Sequence, residues 1–315
     1  YEIGSGLVGS EMCIRDSVGS VEIRVNDDGF YTLMIGASDM GTGCDTILAQ
    51  MAADCLECDM DQIVVHGTDT DVSPYDSGSY ASSTAYLTGT AVVKTCEALK
   101  EKILHKAAKY LETGAEELEF DGKRVYKLAC EADGTRKEIT IKDLANRVQC
   151  ANEDALQVTQ SHSSPISPPP FMAGAAEVEV DLETGQVELI KFAAAVDCGT
   201  PLNENLARVQ TEGGLVQGIG MALYEDVSYS KDGKVHENSF MQYKVPSRLD
   251  VGRVQVEFES SFEPTGPFGA KSIGEVVINT PSPAIANAVY NAVGVRIREL
   301  PITAEKVFKG MNGLD

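Results

Sequence analysis

The chain is poor in positive charge, which excludes two classes of partner. Its 315 residues include 26 lysines and arginines against 48 aspartates and glutamates, so the formal net charge is −22 at pH 7. Such a surface repels nucleic-acid phosphates and anionic membrane headgroups. No apolar run approaches the roughly 20 residues that a membrane-spanning helix needs. The sequence therefore predicts neither a nucleic-acid-binding protein nor a membrane protein.

Histidines and cysteines, four and eight in number, are scattered along the chain. The one suggestive spacing is Cys55-x-x-Cys58, but no second cysteine or histidine pair follows at zinc-site spacing. We interpret this pair as structural, because Cys55 belongs to an apolar helical stripe. Scattered cysteines in a chain of this size are typical of reduced thiols in a cytoplasm. We therefore predict a cytoplasmic protein without protein ligands to a metal.

One carboxylate, Glu275, ends a run of ten residues that contains three glycines and one proline, residues 266–275. We expect the apolar residues 276–278 to keep water away from it, which disfavours the charged form and suits a general base. A surface turn with an incidental glutamate is the alternative. Ser282-Pro283 then predicts the start of a helix that Gly294 ends.

An internal repeat begins near residue 18. Alternating apolar residues predict two strands and a turn over 21–35, followed by a loop from Asp39 and a helix. Residues 177–220 repeat this order, with Asp197-Cys198-Gly199-Thr200 in place of the loop. Between the repeats, the pattern predicts a helix over 90–111, a small strand-rich piece over 116–148 and a proline-rich linker over 161–170. We therefore predict an α+β fold of two related units, each strand–turn–strand plus a glycine-rich loop and helix.

Three glycine- or serine-rich loops are candidates for binding an anion or a cofactor. The first opens a helix, so its backbone N–H groups would favour an acceptor such as phosphate. The second offers small residues and hydroxyls before the long helix, and the third carries one amide among glycines. A plain turn, ordinary helix capping and a closely packed glycine-rich helix are the respective alternatives. The loops are Gly41-Thr42-Gly43, residues 78–84 and residues 213–220.

Residues 269–275, 283–288 and 298–303 together resemble the C-terminal end of the molybdenum-binding subunit of the xanthine dehydrogenase/aldehyde oxidase family. The resemblance extends from about residue 18 to 307. It implies two molybdopterin-binding subdomains, at 18–160 and 161–315, and a missing upstream part of the subunit. The resemblance does not extend to residues 1–17, which we leave unassigned and interpret as an assembly or cloning artefact.

The resemblance also implies roles for individual residues. Glu275 matches the family's catalytic base, while Lys271 is expected to be a charge partner or loop anchor. Thr42 stands where many members have glutamine, which weakens assignment to one subfamily. We predict that the candidate residues of both repeats converge on one cleft. The residues implied to bind the cofactor are Gly41, Thr42, Gly43, Ala81, Ser82, Ser83, Thr84, Gln217 and Gly274.

The implied cofactor is molybdopterin with molybdenum, in its cytosine dinucleotide form. The chain has no cysteine cluster for an iron–sulfur centre and no recognisable flavin site, so electrons would leave through an iron–sulfur subunit and an FAD subunit. The implied reaction oxidises a purine, N-heterocycle or aldehyde, with water as the oxygen source. The alternatives are a benzoyl-CoA-type reductase of the same superfamily and a non-catalytic module that binds a phosphate-bearing ligand.

Overall fold

The structure, a computed structural model, describes residues 17–259 and 261–314. The segment predicted to be an artefact, apart from Ser17, lies outside the described residues. The described chain forms two compact units. We call residues 17–167 with 264–270 the N-terminal unit, and residues 168–259, 261–263 and 271–314 the C-terminal unit.

The N-terminal unit is built on a four-stranded sheet in the order β3-β2-β1-β7. Strand β2 is parallel to β3, and β1 is antiparallel to both β2 and β7. Strand β2 does not alternate between buried and exposed residues as predicted, since every one of its residues is buried. The predicted linker begins inside β7, where His162 pairs with Gly19. The strands are β1 Gly19–Val25, β2 Tyr31–Ile35, β3 Ile63–His66 and β7 Gln157–His162.

Two helices, α1 (Cys44–Leu56) and α2 (Thr84–Leu111), belong to this unit. Helix α2 starts six residues before the predicted position, so Thr84 is its first residue. A small sheet of β4 (Leu118–Phe120), β5 (Arg124–Lys127) and β6 (Glu138–Thr140) follows, with α3 (Ile141–Cys150) directly after it. The hydroxyl of Thr140 accepts a hydrogen bond from Asp143 N and caps α3.

The C-terminal unit has a three-stranded sheet in the order β10-β9-β8. Its core lies between this sheet and the helices, around the fully buried side chains of Phe192, Leu215, Ile219 and Val277. Helix α6 starts at Pro281 rather than after Ser282, and it ends at Gly294 as predicted. The elements are β8 Phe171–Val180, β9 Val187–Asp197, α4 Glu204–Leu223, β10 Arg253–Phe258, α5 Val276–Asn279, α6 Pro281–Val293 and α7 Ala304–Asn312.

The predicted internal repeat is present in both units. Each has an antiparallel hairpin, β1–β2 or β8–β9, followed by a loop and a helix. The likeness extends one element further than predicted, since β3 and β10 each pair in parallel with the second hairpin strand. Neither of these strands was predicted. The α+β fold of two related units is therefore confirmed.

Candidate active site

The carboxylate of Asp39 stabilises the Gly41-Thr42-Gly43 turn by accepting hydrogen bonds from its backbone. Its Oδ1 accepts hydrogen bonds from Gly41 N at 2.9 Å and Gly43 N at 3.1 Å, and both glycines have positive φ. Its Oδ2 accepts from Asp45 N at 3.3 Å. Partial burial alone would raise the pKa of Asp39, but these N–H groups hold its pKa below the usual value. The interpretation of this turn as an open anion cradle is therefore wrong for the amides of Gly41 and Gly43.

The start of α1 is acidic rather than anion-binding. Asp39, Cys44 and Asp45 bring their ligand atoms within 4.8 Å of one another. Burial and the two carboxylates raise the pKa of the Cys44 thiol to about 11, so the thiol is protonated at neutral pH. Burial and the nearby Asp39 likewise raise the pKa of Asp45. Thr42 is thus the residue of this turn whose side chain is best suited to meet an uncharged polar group.

The loop at 78–84 has an unusual backbone. Ala81 and Ser82 are consecutive non-glycine residues in the left-handed region, with φ of 53° and 55°. Each such residue costs about 1–3 kcal/mol and persists where the surroundings enforce it. Ser83 donates from Oγ to Tyr80 O at 2.9 Å. The loop is therefore held in one strained conformation at the start of α2.

The same loop contains a buried hydroxyl without a partner. Among the described residues, Ser79 Oγ is the buried side-chain polar atom that makes no hydrogen bond. An unsatisfied buried hydroxyl costs about 1–3 kcal/mol and calls for a ligand atom or a water molecule. With the hydroxyls of Ser82 and Thr84 nearby in sequence, the loop offers donors that fit a phosphate or a pterin. Molybdopterin therefore fits the donor chemistry of this loop.

Polar contacts fix the first turns of α2. Tyr86 Oη donates to Thr265 Oγ1 at 2.8 Å, and Thr88 Oγ1 donates to Asp76 Oδ2 at 3.0 Å. The Oδ1 atom of Asp76 also accepts from Gly78 N at 2.8 Å. Sequence reasoning missed Asp76 and Tyr86, although a signal was available. The pattern Asp-x-Gly occurs at several places, and in the three loops that start at Asp39, Asp76 and Asp197 the aspartate accepts from the glycine N–H.

Gln217 lies on the exposed side of α4 in the C-terminal unit. The opposite side is packed closely, because a β-carbon at Gly214 would collide with Val277 and one at Gly218 would lie 2.7 Å from Ile278 O. The closely packed glycine-rich helix, weighed as an alternative, therefore describes Gly214 and Gly218. Gln217 keeps its amide accessible to a ligand.

Glu275 immediately precedes α5 and is exposed, while Gly274 beside it is half-buried. Val276 and Val277 are buried in the core of the unit, whereas the Glu275 side chain is exposed. The expectation that the apolar flank shields Glu275 from water is therefore wrong within this chain. The valines anchor α5, and the carboxylate is left accessible.

Lys271 anchors the segment that leads to Glu275. Its Nζ lies 2.8 Å from Asp197 Oδ2, and the lysine is 9% exposed. The backbone N–H of Lys271 donates to Cys198 O at 2.9 Å. Partial burial would raise the pKa of Asp197, but hydrogen bonds from Lys271 and Ser261 keep its pKa below the usual value. The expected role of Lys271 as charge partner and loop anchor agrees with these contacts.

The structure describes the candidate residues in two groups. The N-terminal unit contains the 41–43 turn and the 78–84 loop, at the starts of α1 and α2. The C-terminal unit contains Gln217, on α4, and Glu275, directly before α5, and these two helices pack together through Gly214 and Val277. That both groups share one cleft stays a prediction.

Comparison with known proteins places this geometry in a family. A model described as molybdopterin cofactor-binding domain matches residues 3–252. The chain is 33% identical over 291 residues to "Probable hypoxanthine oxidase XdhD" of Escherichia coli (strain K12), covering 92% of this chain and 30% of that protein. It is 30% identical over 306 residues to the nicotine 6-hydroxylase large subunit of Paenarthrobacter nicotinovorans, covering 93% and 36%.

A solved structure shows the same fold. Quinoline 2-oxidoreductase from Pseudomonas putida 86 matches with a TM-score of 0.83 at 26% identity, over 95% of this chain and 39% of the solved one. The chain thus spans about a third of the length of the curated relatives it matches. It belongs to the molybdopterin cofactor-binding domain family, in the molybdenum-binding subunits of xanthine dehydrogenase-type enzymes.

Proposed function

We propose that this chain is the cofactor-binding part of a molybdenum hydroxylase subunit that oxidises a purine, another N-heterocycle or an aldehyde, with water as the oxygen source. The hypoxanthine oxidase and nicotine 6-hydroxylase to which it is similar act, by their names, on a purine and on an N-heterocycle. When bound, molybdopterin with its molybdenum supplies the two-electron oxidation. The chain's own residues bind the cofactor, orient the substrate and take up a proton.

The observation that carries this proposal is the loop at 78–84. It combines a buried hydroxyl without a partner, Ser79 Oγ, with a left-handed backbone at Ala81 and Ser82. Strain and unsatisfied polar atoms cluster where a ligand completes the structure. We assign Ala81, Ser82, Ser83 and Thr84 to the phosphates of the cofactor, with Ser79 as an additional donor.

The 41–43 turn contributes differently. Since Asp39 already occupies the N–H groups of Gly41 and Gly43, those amides are poor partners for a phosphate. Apart from its two chain neighbours, a β-carbon at Gly41 would meet no atom of the described chain within 4 Å, so the turn leaves room for a flat ring. We assign Gly41, Thr42 and Gly43 to the edge of the pterin.

Gln217 and Glu275 are the residues that we assign to the metal and to the reaction itself. Gln217 has an accessible amide that can both donate and accept a hydrogen bond near the metal. Glu275 is the catalytic base, and its exposed carboxylate can accept the proton that water releases during hydroxylation. Gly274 lets the backbone approach the ligand beside it. Lys271 positions this segment and takes no part in the chemistry.

The finer assignments extend the same proposal. The cofactor would be the cytosine dinucleotide form, since the serine-rich loop offers more hydroxyls than a single phosphate needs. Electrons would leave through an iron–sulfur subunit and an FAD subunit in the cytoplasm. For the described residues, none of the helices is both long enough and apolar enough to cross a membrane.

The test is cofactor content in the complete purified complex. We expect molybdenum and pterin with the wild-type chain, cytidine monophosphate after acid hydrolysis, and a clear loss of both metal and pterin in Ser82→Ala. Thr159→Ala, which removes an exposed hydroxyl on β7, is the matched control and should retain the cofactor. A complex without molybdenum that still binds a phosphate ligand would instead support the non-catalytic module.

A further inference from the structure

Three cysteines lie near the place where α1 and α2 pack together, away from the candidate site residues. Cys55 is in the last turn of α1, Cys58 follows the end of that helix, and Cys96 lies in α2. All three are free thiols. The proposed function uses none of them.

Contacts on both sides of Cys55 and Cys96 fix the direction in which the two helices run. Near the starts of the helices, a β-carbon at Gly89 would lie 2.8 Å from Met51 Cε. Near the end of α1, Glu57 Oε1 lies 2.6 Å from Lys100 Nζ. Cys55 falls between Met51 and Glu57, and Cys96 between Gly89 and Lys100, so the helices run in the same direction with the cysteines facing each other. Each thiol also shifts the pKa of the other, which agrees with this arrangement.

The two thiols differ in access and in charge. Cys96 is completely buried, whereas Cys55 is partly exposed. Interaction with Cys96 lowers the pKa of Cys55 against the effect of burial, and interaction with Cys55 together with burial raises the pKa of Cys96 well above its usual value. Because the thiolate is the reactive form and Cys96 is completely buried, Cys55 is the group that an oxidant meets first.

We propose that Cys55 and Cys96 form an oxidant-responsive thiol pair, which hydrogen peroxide converts into a disulfide joining α1 to α2. The Cys55 thiolate attacks one peroxide oxygen, gives a sulfenic acid and releases hydroxide, which takes up a proton to become water. The Cys96 sulfur then attacks Cys55 Sγ, expels the sulfenic oxygen as a second water and forms the S–S bond. Two thiols lose two electrons, and one peroxide gains them.

Cys58 is not part of this pair. Cys58 follows Glu57, which has a left-handed backbone and caps the C-terminus of α1. The backbone N–H of Cys58 donates to Ala53 O at 3.1 Å and so forms part of this helix cap. Burial and the neighbouring Asp59 raise the pKa of Cys58 to about 11, which leaves its thiol protonated. Within the described residues, the group Asp39, Cys44 and Asp45 is the one whose ligand atoms lie mutually within 4.8 Å, so the three thiols do not make a metal site.

The disulfide would act on the proposed cofactor loops without touching them. Helices α1 and α2 begin at the 41–43 turn and the 78–84 loop, so a bond between the helices limits their movement relative to each other. It also restricts the unfolded chain by closing the segment between positions 55 and 96. We therefore expect the oxidised chain to unfold at a higher temperature than the reduced chain.

Peptide mapping without reductant tests the proposal on the intact subunit. After equimolar hydrogen peroxide, we expect one linked peptide pair that contains Cys55 and Cys96, and its complete loss on treatment with dithiothreitol. Cys58→Ser should form the same link to the same extent. In Cys96→Ser, Cys55 should accumulate sulfenic and sulfinic acid instead.

Two results would overturn the proposal. One is a Cys55–Cys58 link that persists in Cys96→Ser and disappears in Cys58→Ser. The other is a wild-type chain whose cysteines stay reduced under peroxide that oxidises free cysteine. Should Cys96→Ser fail to fold, Cys55→Ser provides the same test, since Cys96 should then remain a thiol.

Discussion

Asp39 and Asp197 occupy the same position in the two repeats, and each accepts a hydrogen bond from the backbone N–H of the glycine two residues later. Their surroundings differ. Lys271 forms an ion pair with Asp197 at 2.8 Å, while no lysine or arginine in the described part of the chain pairs with Asp39. The same turn thus serves as a structural anchor in the C-terminal unit and remains an exposed acidic turn in the N-terminal unit.

Removing the charge of Asp197 should destabilise the chain more than removing the charge of Lys271. Asp197→Asn leaves a lysine that is 9% exposed without its counter-charge, and we expect a loss of about 3 kcal/mol in unfolding free energy. Lys271→Met leaves Asp197 with Gly199 N and Ser261 Oγ as donors and should cost less, about 1–2 kcal/mol. Urea unfolding of both variants measures the difference, and equal losses would contradict the asymmetry.

The same pair predicts a dependence on pH. Because the pKa of Asp197 is lowered in the folded chain, its contribution is present above the unfolded value of about 4 and is lost as pH falls through the folded value. The wild-type chain should therefore lose more stability than Lys271→Met when the pH is lowered below about 4. Unfolding curves at pH 3 and pH 6 provide the check.

Two adjacent glycines of α4 should respond to alanine with opposite signs. Gly214→Ala places a methyl group against Val277 and should cost about 3 kcal/mol. Apart from its chain neighbours and the backbone of its own helix, a β-carbon at Gly213 meets no atom within 4 Å in the described chain, so Gly213→Ala should stabilise the helix by about 0.5–1 kcal/mol. Thermal unfolding of the two variants side by side tests this. Destabilisation by both would show that Gly213 also has a close neighbour.

The effect of Ser79→Ala should depend on whether the cofactor is bound. In the chain without cofactor, Ser79→Ala removes a buried hydroxyl that has no partner and should raise stability by about 1 kcal/mol. In Ser83→Ala, the matched control, loss of the hydrogen bond to Tyr80 O should lower stability by a similar amount. In the complete complex, Ser79→Ala should retain less molybdenum. A destabilised cofactor-free Ser79→Ala chain would show that the hydroxyl has a protein or water partner.

The repeat could be predicted because a hairpin shows a local alternation of apolar and polar residues on either side of turn residues, such as Glu183-Thr184-Gly185. Strand β3 could not, since it has few residues and pairs in parallel with a strand distant in sequence. Strand β10 was missed although Val254, Val256 and Phe258 alternate with polar residues, because it also pairs in parallel and belongs to no hairpin. At the candidate site, glycines and hydroxyls showed which loops matter. The sequence did not show that Asp39 satisfies the amides of its own turn, or that the valines after Glu275 face the core and leave the carboxylate exposed.

Glu275 carries the most decisive prediction about activity. Glu275→Gln keeps the size of the side chain but cannot accept a proton, so in the complete enzyme turnover per molybdenum should fall by about 10² to 10⁴. Molybdenum and pterin content should stay at the wild-type level, because the side chain is exposed and the fold of α5 depends on Val276 and Val277. Glu299→Gln, a neutralised exposed carboxylate beyond α6, is the matched control and should retain activity. Near wild-type turnover per molybdenum in Glu275→Gln would show that another group accepts the proton.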